Sequence, residues 1–450
     1  MSLAKVSELI TARREEYLDM LFTLLRQKSI SAQNVGIAET AEMLKEMMED
    51  IGIKTRLIPT AGNPVIYGEI IKDPEAFTLL LYGHYDVQPQ DPLEEWLSPP
   101  FEPTIRDGKI FCRGVGDNKG QLMAQVLAIK TYLDAFGSLP INIKMVFEGE
   151  EEKGSVNLPD FVSENKELLK ADLVYTSDGP MHESGAPFVL LGVRGMLYVE
   201  LNCKITNSDN HSGNKGNIVP NPVWKIFDLL QTMRDENGHI LIKGFYDNIR
   251  KPTDFELELI KKLPFDREQV AKQLGYPDLD MDGETYYRKL CLEPTFNIAG
   301  LHSGYGGEGS KTIIPAKAML KMDIRLVVDQ DPEDIYQKFC EHVKRVAPDI
   351  EVSHLGSMKP SRTSADLPVV KVVTEAVREA YAVEPILQPS LGGSLPDYVW
   401  TKILGLPSVV VPYANFDEAN HSPNENMEIE KFFSGIKCTC HVINKLAERF

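Results

Sequence analysis

Two rhythms of apolar and polar positions divide the chain. In the first part, short continuous apolar runs at 64–71, 77–82, 141–147 and 173–175 read as buried strands. Between them, residues 121–135 and 158–169 carry helical spacing, so strands and helices alternate. At the N-terminus, Leu9, Ile10, Tyr17, Leu21, Leu24 and Leu25 recur at helical intervals and predict an opening amphipathic helix. This alternation predicts an α/β layer with a mainly parallel sheet flanked by helices.

The rhythm changes near Gly192. Residues 196–206 alternate strictly, with Leu197, Val199, Leu201, Cys203 and Ile205 on one side, as in a sheet with one solvated face. A helix over 222–233 follows, its start marked by Asn221 and Pro222. Residues 254–292 are charged and helically spaced. Strand patterns at 295–301 and 318–328 come next, then a helix over 332–346 introduced by Asp331. The α/β pattern resumes with a helix over 367–381 and a strand over 407–411. The expected organisation is therefore a discontinuous catalytic domain, 1–189 plus 360–450, with an inserted α+β lid domain over 190–359.

Composition narrows the classes of function. The 450 residues are 43% apolar and 25% charged, ordinary for a globular protein with a large core. A formal charge of -18 argues against nucleic acid, because neutralising phosphates needs a basic surface. No apolar stretch approaches the roughly 20 residues that span a bilayer, so no membrane partner is expected. The six cysteines show no disulfide-framework spacing, and a reducing, cytoplasmic setting is expected.

Five segments carry candidate chemistry, most of them after buried-type strands, where sites form in open α/β sheets. The run Leu79-Leu80-Leu81-Tyr82-Gly83 delivers His84, with Asp86 two residues on; a metal-bound imidazole commonly gives its other N–H to a carboxylate. Arg113-Gly114-Val115-Gly116-Asp117-Asn118-Lys119-Gly120 is a tight loop presenting one carboxylate. Its spacing is not that of a dinucleotide loop, and it follows no clear strand. Glu148 and Glu150–152 crowd a third strand end, where mutual repulsion favours a cation. Ser177-Asp178-Gly179 and Asn420-His421-Ser422-Pro423-Asn424-Glu425 complete the set. Together, His84, Asp117, Glu151, Glu152, Asp178 and His421 make an oxygen-rich ligand set with two imidazoles, suited to zinc or manganese. The glycine-rich 304–311 segment departs from a phosphate-binding loop because Ser310 separates Gly309 from Lys311. Cys112 has no base pattern near it.

These motifs, in this order, resemble the co-catalytic zinc metallopeptidase family of dipeptidases, glutamate carboxypeptidases, aminoacylases and desuccinylases. The resemblance spans nearly the whole chain and leans towards the dipeptidases. It implies two divalent ions per subunit, Zn²⁺ or Mn²⁺. His84 and Asp178 would hold one, Glu152 and His421 the other, and Asp117, with a cis peptide to Asn118, would bridge them. Glu151 would be the general base, chosen over Glu150 by alignment to the family's Glu-Glu-x-Gly-Ser pattern, and Asp86 would orient His84. Asn210-His211-Ser212-Gly213 resembles the lid motif whose His reaches a neighbouring subunit's oxyanion. Thr312, Arg325 and Ser394 are implied as substrate contacts. The implied activity is hydrolysis of the amide bond in a dipeptide or similar small substrate by a homodimer joined through the lid. N-acyl amino acid deacylation is the alternative, and a catalytically silent metal-binding homologue a further one.

Overall fold

The computed structural model describes residues 3 to 450, and the chain divides into two compact units. The first comprises the described residues up to 192, with 362–389 and 396–450; the second comprises 193–361 and 390–395.

An eight-stranded sheet organises the first unit. Its spatial order is Lys54–Ile58, Val65–Ile70, Asn142–Glu148, Thr78–His84, Leu173–Thr176, Ser408–Val410, Phe188–Leu190 and Ile386–Gln388. The four central strands, from Asn142–Glu148 to Ser408–Val410, run parallel. Strands running opposite to these flank them on both sides, so the α/β sheet is parallel at its centre, where it matters for the site. All seven residues of Thr78–His84 are buried, which explains its unbroken apolar run. The helix Lys119–Phe136 is buried nearly all round, and it packs against the C-terminal helix Ile429–Arg449.

Several elements depart from the sequence pattern. The opening helix is two, Ala4–Ala12 and Arg14–Arg26. The helix expected over 158–169 ends at Glu164. The Asp117 loop does follow a strand, a three-residue one: Lys109–Phe111 pairs with Thr104–Arg106 in a hairpin too short to leave a periodic signal.

The second unit is a four-stranded antiparallel sheet ordered Asn297–Ser303, Lys317–Leu326, Gly195–Lys204 and Ile350–Met358. Alternation along Gly195–Lys204 buries Leu197, Val199, Leu201 and Cys203. On that face lie the helices Pro222–Met233 and Pro332–Val346, through Ile226, Leu229, Ile335 and Phe339. The Asn221 side chain accepts a hydrogen bond from Val223 N at 2.9 Å, capping the first of these helices. The helical 254–292 segment is three helices, Asp254–Lys261, Arg267–Leu274 and Gly283–Leu292. The edge strand Ile350–Met358 had no counterpart in the pattern, because its mostly polar, exposed residues do not alternate cleanly.

Candidate active site

Parallel strands in register release the chain along one edge of the sheet. His84 ends its strand opposite Glu148. Glu151 and Glu152 follow Asn142–Glu148, Asp178 follows Leu173–Thr176, and His421 lies in the loop after Ser408–Val410. The register thus brings side chains spread over some three hundred positions to the carboxyl ends of four adjacent strands.

Two groups of ligand-type side chains converge there: His84, Asp117 and Asp178, and Asp117, Glu152 and His421. Within each, the candidate donor atoms lie within 4.8 Å of one another. Asp117 belongs to both. His84 Nε2 is 3.1 Å from Asp117 Oδ1 and 3.7 Å from Asp178 Oδ2. His421 Nε2 is 3.0 Å from Asp117 Oδ2 and 3.1 Å from Glu152 Oε2. The Asp117–Asn118 peptide is cis.

Charge in the cluster is unbalanced. Burial alone would lower the His84 imidazole's pKa, but the Asp117 and Asp86 carboxylates raise it well above the ordinary histidine value. Asp117 and Glu152 push His421 up to about 11. Burial, with Asp117 beside it, pushes Asp178 up to about 7. Burial also raises Glu151 well above the carboxylate range; His84 opposes the shift, while Asp178, Glu152 and Asp117 reinforce it. Two imidazoles and several carboxylates crowded together, each displaced this far from its ordinary pKa, suit a site that binds cations. His84 Nε2 makes the same point: it is fully buried and close to two carboxylates, yet has no partner in hydrogen-bond geometry. The donor set fits a pair of divalent ions.

The supporting contacts are specific. The Asp86 carboxylate accepts the N–H groups of Glu151 at 3.2 Å and Glu152 at 3.1 Å, and lies 3.5 Å from His84 Nδ1. Nearer to that nitrogen, at 3.1 Å, is the Asp86 carbonyl. One residue therefore ties the imidazole to the two glutamates. Glu150 faces elsewhere: Asn157 donates to it at 2.7 Å and Lys153 at 3.3 Å.

Three amides escaped the sequence reading. Gln88 Nε2 donates to Glu152 Oε2 at 2.9 Å. Asn118 accepts from His84 N at 3.3 Å and donates to the Ser177 carbonyl at 2.7 Å. Gln121 donates to the Gly116 and Gly179 carbonyls at 2.8 and 3.1 Å and accepts from Tyr413 N at 2.7 Å. Gln121 thereby joins the Asp117, Asp178 and post-strand 411–413 loops. The only available signal was their closeness to ligand motifs.

His211, Thr312, Arg325 and Ser394 belong to the second unit. His211 pairs with Ile313 in a two-residue ladder, next to Thr312, whose carbonyl accepts Ser212 N at 3.1 Å. Arg325 Nη1 donates to Ser394 Oγ at 2.8 Å, and Ser394 Oγ donates to the Arg194 carbonyl at 2.7 Å. Arg194, also missed, donates through Nε to the Gly392 carbonyl at 2.9 Å, bracing the loop that carries Ser394.

A mainly parallel sheet presenting two imidazole–carboxylate groups that share one aspartate defines a metal-dependent hydrolase. The chain belongs to peptidase family M20/M25/M40, whose pattern it matches over residues 80–445. It is 39% identical to the M20 family metallo-carboxypeptidase Sso-CP2 of Sulfolobus solfataricus, covering 96% of this chain and 99% of that one with a TM-score of 0.91. Human carnosine dipeptidase 1 is similar at 27% identity, with 99% and 100% covered and a TM-score of 0.82. The Cys-Gly metallodipeptidase dug1 of Schizosaccharomyces pombe is 29% identical over 99% of both chains. The protein is a metallopeptidase of this family.

Proposed function

We propose that this protein hydrolyses the amide bond of dipeptides, or of similar small substrates ending in a free carboxylate, at a dinuclear centre. The observation that carries this reading is the sharing of Asp117 between two ligand groups. We assign one ion to His84, Asp117 and Asp178, and the other to Asp117, Glu152 and His421. Zinc is favoured over manganese, since imidazole nitrogen suits it. The carboxylates of Asp117, Glu152 and Asp178 would offset most of the charge of two divalent ions, which suits a partly buried site. Such an ion pair, when bound, acidifies a water and polarises a carbonyl.

The chain's own residues do the rest. Glu151 accepts the attacking water's proton and returns it to the leaving amine. Asp86 keeps His84 in the tautomer whose Nε2 is free to ligate. Arg325, held by Ser394, clamps the substrate carboxylate in a bidentate pair that lysine cannot reproduce. Thr312 contacts substrate, and His211 donates to the developing oxyanion from the other subunit of a homodimer. Residues 1–189 and 360–450 form the catalytic domain, and 190–359 the lid through which the dimer forms. All six cysteines are free thiols, five of them buried, which suits a cytoplasmic setting. Among the described residues no helix is long and apolar enough to cross a membrane.

A carboxypeptidase reading has a specific basis in the similarity to Sso-CP2. The deciding experiment offers metal-stripped enzyme, resupplied with zinc or manganese, a panel of dipeptides, longer peptides, and N-acetyl and N-succinyl amino acids. Metal-dependent release of amino acids from dipeptides is expected. Turnover of acyl amino acids alone would make the protein a deacylase, and preferred turnover of longer peptides a carboxypeptidase.

A further inference from the structure

The glycine-rich turn that carries Asp117 closes around a side chain from the far end of the sequence. Glu425 is fully buried. Its Oε2 accepts from Arg113 Nη1 at 2.7 Å and Gly114 N at 2.9 Å, and its Oε1 from Gly116 N at 2.9 Å and Asp117 N at 3.0 Å. Backbone N–H groups folded into a concave turn make an anion site. Here the anion is the chain's own carboxylate, which accounts for glycines that do not match a phosphate loop. Arg113, 1% exposed, balances the charge.

The segment leading to Glu425 has an unusual backbone. Ala419, His421 and Asn424 are left-handed, at φ 55°, 56° and 63°. Residues bearing a Cβ keep such conformations only where their surroundings over-determine them. Asn424 is pinned by Leu97 N at 2.9 Å and the Glu95 carbonyl at 2.8 Å, and the Glu425 carbonyl accepts Cys112 N at 3.1 Å. The His421 side chain is 55% exposed, and among the described residues its ring pairs with Asp117 and Glu152, which are themselves ligand-type groups of the cluster. Its placement therefore depends on the backbone that Glu425 anchors.

We propose that Glu425 is a positioning residue of the dinuclear centre, locking the Asp117 loop to the His421 loop so that Asp117 and His421 are preset before metal binds. An ionised carboxylate has the acceptor capacity for four donors. Glutamine in its place turns an NH2 group towards N–H donors, and aspartate is one methylene short. The inference rests on the dinuclear reading above.

The test compares wild-type protein with Glu425→Gln, Arg113→Met and the double variant, each stripped of metal. Zinc binding is followed by calorimetric titration, and stability by apo thermal unfolding. Wild type is expected to take two equivalents. Glu425→Gln and the double variant should bind the weaker equivalent 10–100-fold less tightly, the usual range for a partner behind the ligands. Arg113→Met, which leaves three backbone donors on the carboxylate, should lose less. Wild-type zinc affinity in the double variant, or equal losses in Arg113→Met and Glu425→Gln, would overturn the proposal. Hydrogen exchange on the wild-type apo protein tests it without any variant. Amides 114, 116 and 117 should be protected before zinc is added, and protection gained only with zinc would refute presetting. If wild type itself fails to take two equivalents, the dinuclear reading fails instead.

Discussion

Glu151 and Asp117 sit in the same partly buried cluster, yet their substitutions should separate cleanly. Asp117 faces both histidines through its two oxygens, whereas Glu151 belongs to neither convergent ligand group. Glu151→Ala is therefore expected to retain two metals per subunit by elemental analysis while kcat on a dipeptide falls by roughly 10²–10⁴, the range of general acid–base catalysis. Asp117→Ala removes the ligand common to both groups and should lose metal itself. Wild-type-like turnover in Glu151→Ala would remove it as the base. At this scale the convergent imidazoles and carboxylates were legible because most of them follow a strand with polar neighbours that a surface turn would not need. Gln88, Asn118 and Gln121 were not, because an amide that braces a loop across more than fifty residues leaves no local pattern.

The helix Lys119–Phe136 shows how an element can reverse a residue-level rule. Replacing a helical glycine with alanine ordinarily stabilises by up to about 1 kcal/mol. At Gly120, however, a Cβ would stand 2.0 Å from the Val115 carbonyl oxygen, inside the Asp117 loop. Gly120→Ala should instead destabilise by about 1–3 kcal/mol, as overpacking does. It should also weaken zinc binding; a raised apo melting temperature would contradict this. The C-terminal helix Ile429–Arg449 was not read from the sequence, since Gly435, Thr439 and Asn444 share its buried side with Phe432, Ile436 and Leu446 and blur the apolar stripe. It also carries a pH signal. Burial lowers the pKa of His441 to about 4, and Lys437 adds to the shift. As pH falls from the ordinary histidine range towards 4, the unfolded chain takes up a proton that the folded one refuses, so stability is lost across that window. Below it the loss stops. The melting temperature of His441→Gln should accordingly fall less than that of wild type between pH 7 and pH 4.5; identical slopes would assign the acid sensitivity elsewhere.

At the scale of the molecule, two architectures were legible because their rhythms differ: buried parallel strands read as unbroken apolar runs, and half-covered antiparallel strands alternate. The transfer of residues 390–395 to the second unit was not, because a six-residue excursion has no rhythm of its own. Assembly is the property least visible in one chain, and the proposed role of His211 makes it testable. If His211 serves the other subunit's site, a dimer of one His211→Ala and one Glu151→Ala subunit retains one site with both groups intact. The site that keeps Glu151 then receives His211 from its neighbour. Each homodimeric variant should be nearly inactive, while mixed dimers, purified with two different tags, should recover turnover at one of their two sites. Were His211 to act within its own subunit, every site in the mixed dimer would lack one group and no activity would return. A monomer by sedimentation at assay concentration would exclude the arrangement outright.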